Sequence, residues 1–394
     1  MGRVVKNCSS TYSHDSDSSE LFLNQDLMLP ILALLPLNSL LNSARYVCKQ
    51  WATTIRTSHF AQACLRLSKP GLYVENRHFG TRSYYLHIKN YANGQFEFER
   101  TDLGTPLIAG MVIDSCNGIL LMLCWTWNPA QTQAFLVNPV VKSCLKLPPL
   151  PLFREGPLLA IQFNIVCVPR TAKFKLFFID IVEVSGAFYY VFYVLTIGVD
   201  NLWKEIDRKE APVNWDNIWK PLYDGANYLY WISMHHEITV LDVDKEIIVG
   251  KFPLPPLPVV EPRSLTTFLW KGNQLSCTVR SLRNETYQIY ILDFDSGKWS
   301  FYHEMGPFDY VAACGLDLVI LLLLFRYWIH DQIIFRVVIF PRTEENWPRG
   351  KHTMHFSYNV NTRQLTKIED IDMGSHEVWL HTNSLVSLPS IQHS

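Results

Sequence analysis

Residues 287–302 read YQIYILDFDSGKWSFY. Two segments rich in aromatic and aliphatic side chains flank the turn-forming residues Asp295-Ser296-Gly297, which predicts a β-hairpin. Similar strand–turn–strand stretches recur along the chain, at 84–98, 134–147, 190–206, 238–252 and 354–368. The turn centres are spaced roughly 45 to 65 residues apart, and self-similarity at such a period indicates a repeat architecture.

Further apolar runs between these hairpins predict inner strands. They lie at 118–124, 158–168, 227–232, 273–279 and 315–325. Four strands in each repeat and six repeats predict an all-β propeller with six blades. Two stacked sheets could also accommodate the strands, but a sandwich predicts no repeat at this period.

The composition changes abruptly near residue 70. Between residues 26 and 67, apolar residues recur at the spacing of amphipathic helices. This pattern predicts three short helices, with Asp26 as the N-cap of the first and Pro30 in its first turn. The chain is therefore predicted to be an α+β multidomain protein, with a disordered tail over 1–22, a small three-helix domain over 23–68 and the propeller over 71–390.

Charge and cysteine content exclude several classes of function. The 394 residues carry 35 Lys and Arg against 36 Asp and Glu, a formal net charge of -1. This balance argues against nucleic acid as a partner, because no overall positive field would attract phosphates. The nine cysteines are odd in number and scattered without a Cys-x-x-Cys pair, which predicts reduced, mostly buried thiols rather than disulfides or a zinc site.

The sequence shows neither the pattern of a secretory signal nor that of a membrane-spanning segment. The first 20 residues contain no apolar segment of the kind that a secretory signal needs. The one membrane-like run, residues 318–325, is much shorter than the roughly 20 apolar residues that span a bilayer, and a buried central strand explains it better. We therefore expect a cytoplasmic or nuclear protein that does not bind a membrane.

No stretch carries a recognised catalytic motif. The sequence contains no Gly-rich phosphate loop, no Gly-x-Ser-x-Gly elbow and no His-Glu-x-x-His helix. The neighbouring residues His235 and His236 would point to opposite faces of a strand, so one metal ion could not easily bind both. We therefore predict no catalytic, cofactor-binding or metal-binding residues.

Two sets of motifs resemble a known family. The N-terminal segment resembles an F-box, through Asp26-Leu27, Ile31-Leu32, Leu35-Pro36, Ser39-Leu40-Leu41 and Val47-Cys48-Lys49-Gln50-Trp51 in that order. The repeat region resembles the F-box-associated, kelch-like β-propeller of plant F-box proteins, through Ser115-Cys116-Asn117-Gly118-Ile119-Leu120, Val137-Asn138-Pro139, Lys146-Leu147-Pro148-Pro149 and Ser384-Leu385-Val386-Ser387-Leu388.

This resemblance implies a non-catalytic substrate-recognition subunit of an SCF-type (Skp-cullin-F-box) ubiquitin ligase. The F-box would bind a Skp-family adaptor, and through it the cullin and RING subunits, while the propeller would bind a target protein that the sequence does not identify. A helical segment of about 40 residues is too small to bury all its apolar positions internally, so some are left for a partner. The candidate adaptor-binding residues are Leu27, Ile31, Pro36, Leu40, Leu41, Val47, Cys48 and Trp51.

Two alternatives remain open at this stage. The propeller could serve as an interaction scaffold outside any ligase complex. It could also be a kelch-like oxidase, whose copper site would need Tyr, His and Cys side chains to converge at one face. Residue types alone do not establish such a convergence.

Overall fold

A computed structural model describes residues 25–76, 83–92, 95–103, 108, 110–124, 132–151, 162–211, 220–233, 237–255, 266–281, 285–315, 318–341, 352–371 and 376–388. The predicted tail and the pair His235 and His236 lie outside these ranges. The chain divides into two compact units, and the division falls between Ala63 and Cys64. Where the structure describes them, the first unit is helical and the second is almost entirely β.

The helical segment contains more helices than predicted. Four short helices and one 3₁₀ turn replace the expected three helices, and their bounds are α1 (Gln25–Ala33), α2 (Leu37–Asn42), the 3₁₀ turn (Ala44–Tyr46), α3 (Lys49–Ile55) and α4 (Ser58–Leu67). Two extended cap residues produce the breaks: Pro36 precedes α2 with ψ 144°, and Cys48 precedes α3 with φ -157°.

The start of α1 corrects a second detail. Gln25 and Asp26 both belong to the helix, so Asp26 is not its N-cap, and Pro30 lies inside α1 rather than in a first turn that begins after Asp26. No single described helix is long and apolar enough to cross a membrane. Leu27–Ala33 and Leu37–Tyr46 would pass that test only as a pair, and the pair is bent by 114°.

The second unit consists of six four-stranded antiparallel sheets, which we call blades 1 to 6. The strands of blades 1 to 3 are β1 (Gly71–Asn76), β2 (Tyr84–Ala92), β3 (Gln95–Asp102), β4 (Met111–Cys116), β5 (Ile119–Cys124), β6 (Gln133–Asn138), β7 (Ser143–Lys146), β8 (Gln162–Cys167), β9 (Phe174–Val184), β10 (Ala187–Thr196) and β11 (Lys204–Glu210). Those of blades 4 to 6 are β12 (Leu222–Tyr223), β13 (Tyr228–Ile232), β14 (Glu237–Asp242), β15 (Ile247–Pro253), β16 (Thr266–Lys271), β17 (Gln274–Ser281), β18 (Thr286–Asp293), β19 (Lys298–Met305), β20 (Leu318–Ile329), β21 (Gln332–Pro341), β22 (His352–Asn359) and β23 (Leu365–Lys367). A one-turn helix, α5 (Tyr310–Cys314), precedes β20, and the last strand is β24 (His376–His381).

The strand order confirms the predicted six-bladed propeller. Blades 2 to 6 each use four strands that are consecutive in the chain, whereas blade 1 combines β1, β2 and β3 with β24. The chain therefore closes on itself, with Leu72 opposite Leu380 in the antiparallel register. The first strands of neighbouring blades contact one another, as β4 does with β8 and β16 with β20.

All six predicted hairpins are confirmed as the third and fourth strands of their blades, or, in blade 1, as β2 and β3. In the hairpin quoted first, the carboxylate of Asp293 accepts hydrogen bonds from the Asp295 amide (3.1 Å) and the Ser296 hydroxyl (2.6 Å). Gly297 has φ 67°, a conformation that costs glycine little. Local turn chemistry therefore fixed these hairpins.

The predicted inner strands are only partly confirmed. The run at 158–168 contains the first strand β8 and the run at 315–325 overlaps the first strand β20, but those at 118–124, 227–232 and 273–279 correspond to the second strands β5, β13 and β17. The second strand β5 is buried over Ile119–Leu123. The first strands differ from one another, since β4 carries the polar Asp114 and β20 is leucine-rich.

Buried apolar clusters between the blades form the core. One cluster joins blades 2 and 3 around Leu121, Phe163 and Phe178. Another joins blades 5 and 6 around Phe335 and Phe356, whose rings stack at 5.9 Å. The eight described cysteines are free, but only Cys64 and Cys277 are fully buried, so the expectation of mostly buried thiols is wrong.

Three of the motifs that resemble the F-box-associated propeller meet at one place. The side-chain amide of Asn138 donates to the backbone carbonyls of Ser384 (3.1 Å) and Val386 (2.8 Å). The Ser384 hydroxyl donates to the carbonyl of Asn117 (3.0 Å), and a Cβ on Gly118 would clash with Ser384. These motifs therefore attach the segment after β24 to blade 2, which reinforces the closure of the propeller.

Candidate functional site

The first helix leaves large apolar side chains exposed. Leu27 and Ile31, one turn apart on α1, are 59% and 51% exposed, and Leu34 just beyond the helix is 75% exposed. The residues that follow Leu27 and Ile31 in sequence, Met28 and Leu32, are buried. Because α1 is apolar on more than one face, it buries one face and leaves another uncovered.

The segment before α3 adds two more exposed side chains. Tyr46 and Val47 are 69% and 64% exposed. The guanidinium of Arg45 lies over the Tyr46 ring, 4.7 Å from its centroid, and holds the ring in place. We call the exposed residues Leu27, Ile31, Leu34, Tyr46 and Val47 the apolar surface of the helical unit.

The structure separates the predicted adaptor-binding residues into three groups. Leu27, Ile31, Pro36, Val47 and Cys48 are exposed, while Leu41 and Trp51 are half-buried. Leu40 is only 1% exposed, so it is a core residue and not a contact for a partner. The sequence prediction included Leu40 through the resemblance of Ser39-Leu40-Leu41 to an F-box, and that motif does not reveal which of its residues are buried.

Two exposed residues were missed by the sequence prediction. Leu34 follows Ile31 at helical spacing, and that spacing could have identified it. Tyr46 lies in the 3₁₀ turn, whose position the sequence did not reveal. Arg45, Lys49 and Arg56 are exposed in the same unit. An apolar patch with basic residues in the same unit can bind a partner that is apolar and acidic.

The first strands of the propeller bring polar residues together at its centre. The Nζ atom of Lys220, just before β12, lies 2.6 Å from Oδ1 of Asp114 in β4. The other carboxylate oxygen of Asp114 accepts from the side chain of Asn164 (3.0 Å) and the amide of Ile165 (2.9 Å) in β8. One carboxylate therefore links three blades.

A second buried carboxylate links blades 1 and 6. Oε2 of Glu377 in β24 accepts from Nη2 of Arg326 in β20 at 2.7 Å, and Oε1 accepts from Arg336 in β21. The side chain of Glu377 is only 5% exposed. Buried ion pairs of this kind are costly to break, because the remaining charge has no solvent to compensate it.

His381, at the end of β24, is a buried histidine. Its Nδ1 lies 2.8 Å from the Ser115 hydroxyl, and the ring packs against Tyr73 and Tyr85. Burial lowers the pKa of His381 to about 3, because the surroundings disfavour the charged ring. Among the described residues, no group of three or more His, Cys, Asp and Glu side chains is placed to hold a metal ion.

The chain was compared with known proteins. It matches no protein-family model and no curated protein. Three similar solved structures are oligogalacturonate lyase from Vibrio parahaemolyticus (10% identity, TM-score 0.41, 73% of this chain and 74% of that chain), Sqt1 from Saccharomyces cerevisiae (9%, 0.37, 80% and 72%) and the β-propeller domain of the Trilobed protease from Pyrococcus furiosus (12%, 0.33, 77% and 73%). None of the three is named as an F-box or kelch protein. At TM-scores below 0.5, these likenesses carry no argument about function.

Proposed function

We propose that this protein is a substrate-recognition subunit of an SCF-type ubiquitin ligase, with the helical unit as its F-box. The observation that carries the proposal is that residues of the F-box-like motif are also exposed on the surface. Leu27, Ile31 and Val47 belong to the ordered motif that resembles an F-box, and each is more than half exposed. When a partner covers large aliphatic side chains of this exposure, apolar surface is removed from water, and this removal favours binding.

The partner of this surface would be a Skp-family adaptor, which connects to the cullin and RING subunits. An apolar helix face commonly binds in the groove of a partner, with anchors spaced by three or four residues. Leu27, Ile31 and Leu34 have this spacing along the chain. The exposed Arg45 and Lys49 favour an acidic partner and would raise the rate of association.

The propeller would hold the target protein. A propeller is a rigid scaffold whose loops vary freely, which suits an interaction module. The receptor would act by effective concentration, because tethering a target to the ligase brings a lysine of that target close to the charged conjugating enzyme. No bond chemistry would be done by this chain, and the catalytic steps would belong to its partners.

Co-purification tests this proposal. The full chain would be expressed with an affinity tag under proteasome inhibition, beside the double variant Leu27→Asp with Ile31→Asp. A matched control, Val199→Asp with Leu202→Asp, places the same charges on propeller residues that are 56% and 73% exposed. Leu40→Asp is unsuitable, because a charge at a buried position would unfold the helices.

We expect the adaptor and cullin to co-purify with the wild type and the control, and to be lost from the helical variant. Equal recovery with all three proteins would contradict the proposal. Recovery of neither subunit with the wild type would favour a scaffold outside a ligase complex. Bound copper in the purified chain would favour the oxidase.

A further inference from the structure

A cavity of about 370 Å³ lies within the propeller. Its walls include residues on or next to the first strands of four blades, such as Leu222 in β12, Phe268 in β16, Leu323 in β20 and Trp379 in β24. Blade 5 also contributes Arg280 from β17 and Tyr287 from β18. Cavities of this size hold small molecules in many proteins.

Most of the wall is apolar or aromatic. The leucine-rich run that was predicted as a buried central strand lies instead in the first strand β20, and Leu322 is 43% exposed there. Aromatic side chains line the same space: Phe268, Tyr287, Phe325, Tyr327 and Trp379. A ligand of this cavity would therefore need an apolar body to replace water on these walls.

Three cationic residues also line the cavity, and they differ in their partners. Lys220 is paired with Asp114, and Arg326 is paired with Glu377. Arg280 is half-buried and has no carboxylate partner among the described residues, and its Nε atom is shielded from solvent without a hydrogen bond. Among the described residues, two cations of the cavity therefore have a carboxylate partner and the third has none.

The guanidinium of Arg280 interacts electrostatically with the phenols of Tyr287 and Tyr310. Burial raises the pKa of both phenols, and the positive charge of Arg280 opposes that rise. Neutral phenols carry no negative charge, so they do not balance the positive charge of the guanidinium. An anion bound in the cavity would pair with this guanidinium and would accept a hydrogen bond from its Nε–H.

We propose that this cavity binds a small molecule that carries a carboxylate or phosphate group on an apolar body, with Arg280 as the anion-binding residue. The planar guanidinium fork matches both kinds of anion through two parallel hydrogen bonds. The bound anion would satisfy Nε of Arg280, and the aromatic wall would cover the rest of the ligand. This site is independent of the proposed adaptor surface.

Calorimetric titration of the full chain tests the proposal with three probes of similar shape. Phenylacetate and phenyl phosphate carry the two kinds of anion, and phenylacetamide is the neutral control. We expect at least one anion to bind with millimolar affinity or better, and about tenfold or more tighter than the amide. The anion that binds more tightly identifies the class of ligand.

Variants then assign the binding to Arg280. Arg280→Gln should weaken anion binding about tenfold or more, and Arg280→Lys should keep part of it, because the charge remains but the fork is lost. Arg170→Gln, at a side chain that is 75% exposed, should leave the affinity unchanged. The adaptor should still bind all these variants, so failure here is distinct from failure of the proposed function.

Two results would overturn the proposal: no anionic probe binds the wild type, or the anions bind Arg280→Gln as tightly as the wild type. Thermal unfolding of each variant shows whether it is folded. If Arg280→Gln does not fold, the comparison of anions with the amide on the wild type decides, and equal affinities reject the site.

Discussion

The helical unit and the propeller treat large side chains differently. In the helical unit, five large apolar residues are between 51% and 75% exposed within residues 27–47. In the propeller, β24 closes the sheet of blade 1, and buried clusters join neighbouring blades. The propeller also exposes large apolar side chains, such as Val199, Leu202 and Phe301, but these are spread over several blades, whereas those of the helical unit fall close together in the sequence.

The largest expected effect is on the propeller core. Phe335 is fully buried, and its ring stacks on those of Phe308 (5.3 Å) and Phe356 (5.9 Å). Phe335→Ala should lower the free energy of unfolding by about 3–5 kcal/mol, measured by denaturant titration. Phe301→Ala, at a ring that is 58% exposed, should change it by about 0.5 kcal/mol or less. Similar losses for both variants would show that the blades are not packed as described.

A somewhat smaller effect is expected from the buried ion pair. Glu377→Gln removes the buried carboxylate that pairs with Arg326 and Arg336, and should cost about 3 kcal/mol of unfolding free energy. Glu205→Gln removes an exposed partner of Arg208 and should cost less than about 1 kcal/mol. Chemical denaturation of the two variants measures this difference, and equal costs would remove the distinction between a buried and an exposed pair.

The next largest effect is expected on the pH dependence of the unfolding free energy, through His381. The unfolded chain protonates His381 near its ordinary pKa of about 6.5, but the folded chain resists protonation down to about pH 3. Between these values the unfolded state binds more protons, so stability falls as the pH falls, by about 1.4 kcal/mol for each pH unit. From pH 6.5 to pH 5, this amounts to about 2 kcal/mol.

A variant that lacks His381 isolates that contribution. His381→Gln should flatten the pH dependence of the unfolding free energy between about pH 6.5 and 4. If His381→Gln keeps the slope of the wild type, other groups cause it.

The smallest effect on stability is expected at the apolar surface of the helical unit. Leu27 and Ile31 are exposed, so replacing both with aspartate should change the unfolding free energy by about 1 kcal/mol or less. A loss as large as that of Phe335→Ala would mean that the helices need these side chains internally. The surface would then not be left for a partner.

The hairpins could be predicted because their information is local. Asp295-Ser296-Gly297 is a turn whatever lies elsewhere in the chain, and six such turns at a regular period fix the repeat. The assignment of first and second strands could not be predicted in the same way. An apolar run such as 118–124 shows that both faces are covered, but not which strand lies next to the centre.

The candidate site was less predictable, because exposure and pairing depend on the tertiary fold. Leu27 and Leu40 are both apolar residues at helical spacing, yet one is exposed and the other buried. Lys220 and Asp114 are 106 residues apart, and no local pattern announces their ion pair. Arg280, which has no carboxylate partner within the described ranges, likewise has no signature in the sequence, since its neighbours are supplied by other strands and by another blade.

Binding of a purified Skp-family adaptor to the full chain, measured by calorimetry, tests the central claim most directly. We expect the wild type and the control Val199→Asp with Leu202→Asp to bind with the same affinity, and Leu27→Asp with Ile31→Asp to bind at least about a hundredfold more weakly. No binding by the folded wild type, or equal binding by both double variants, would contradict the account.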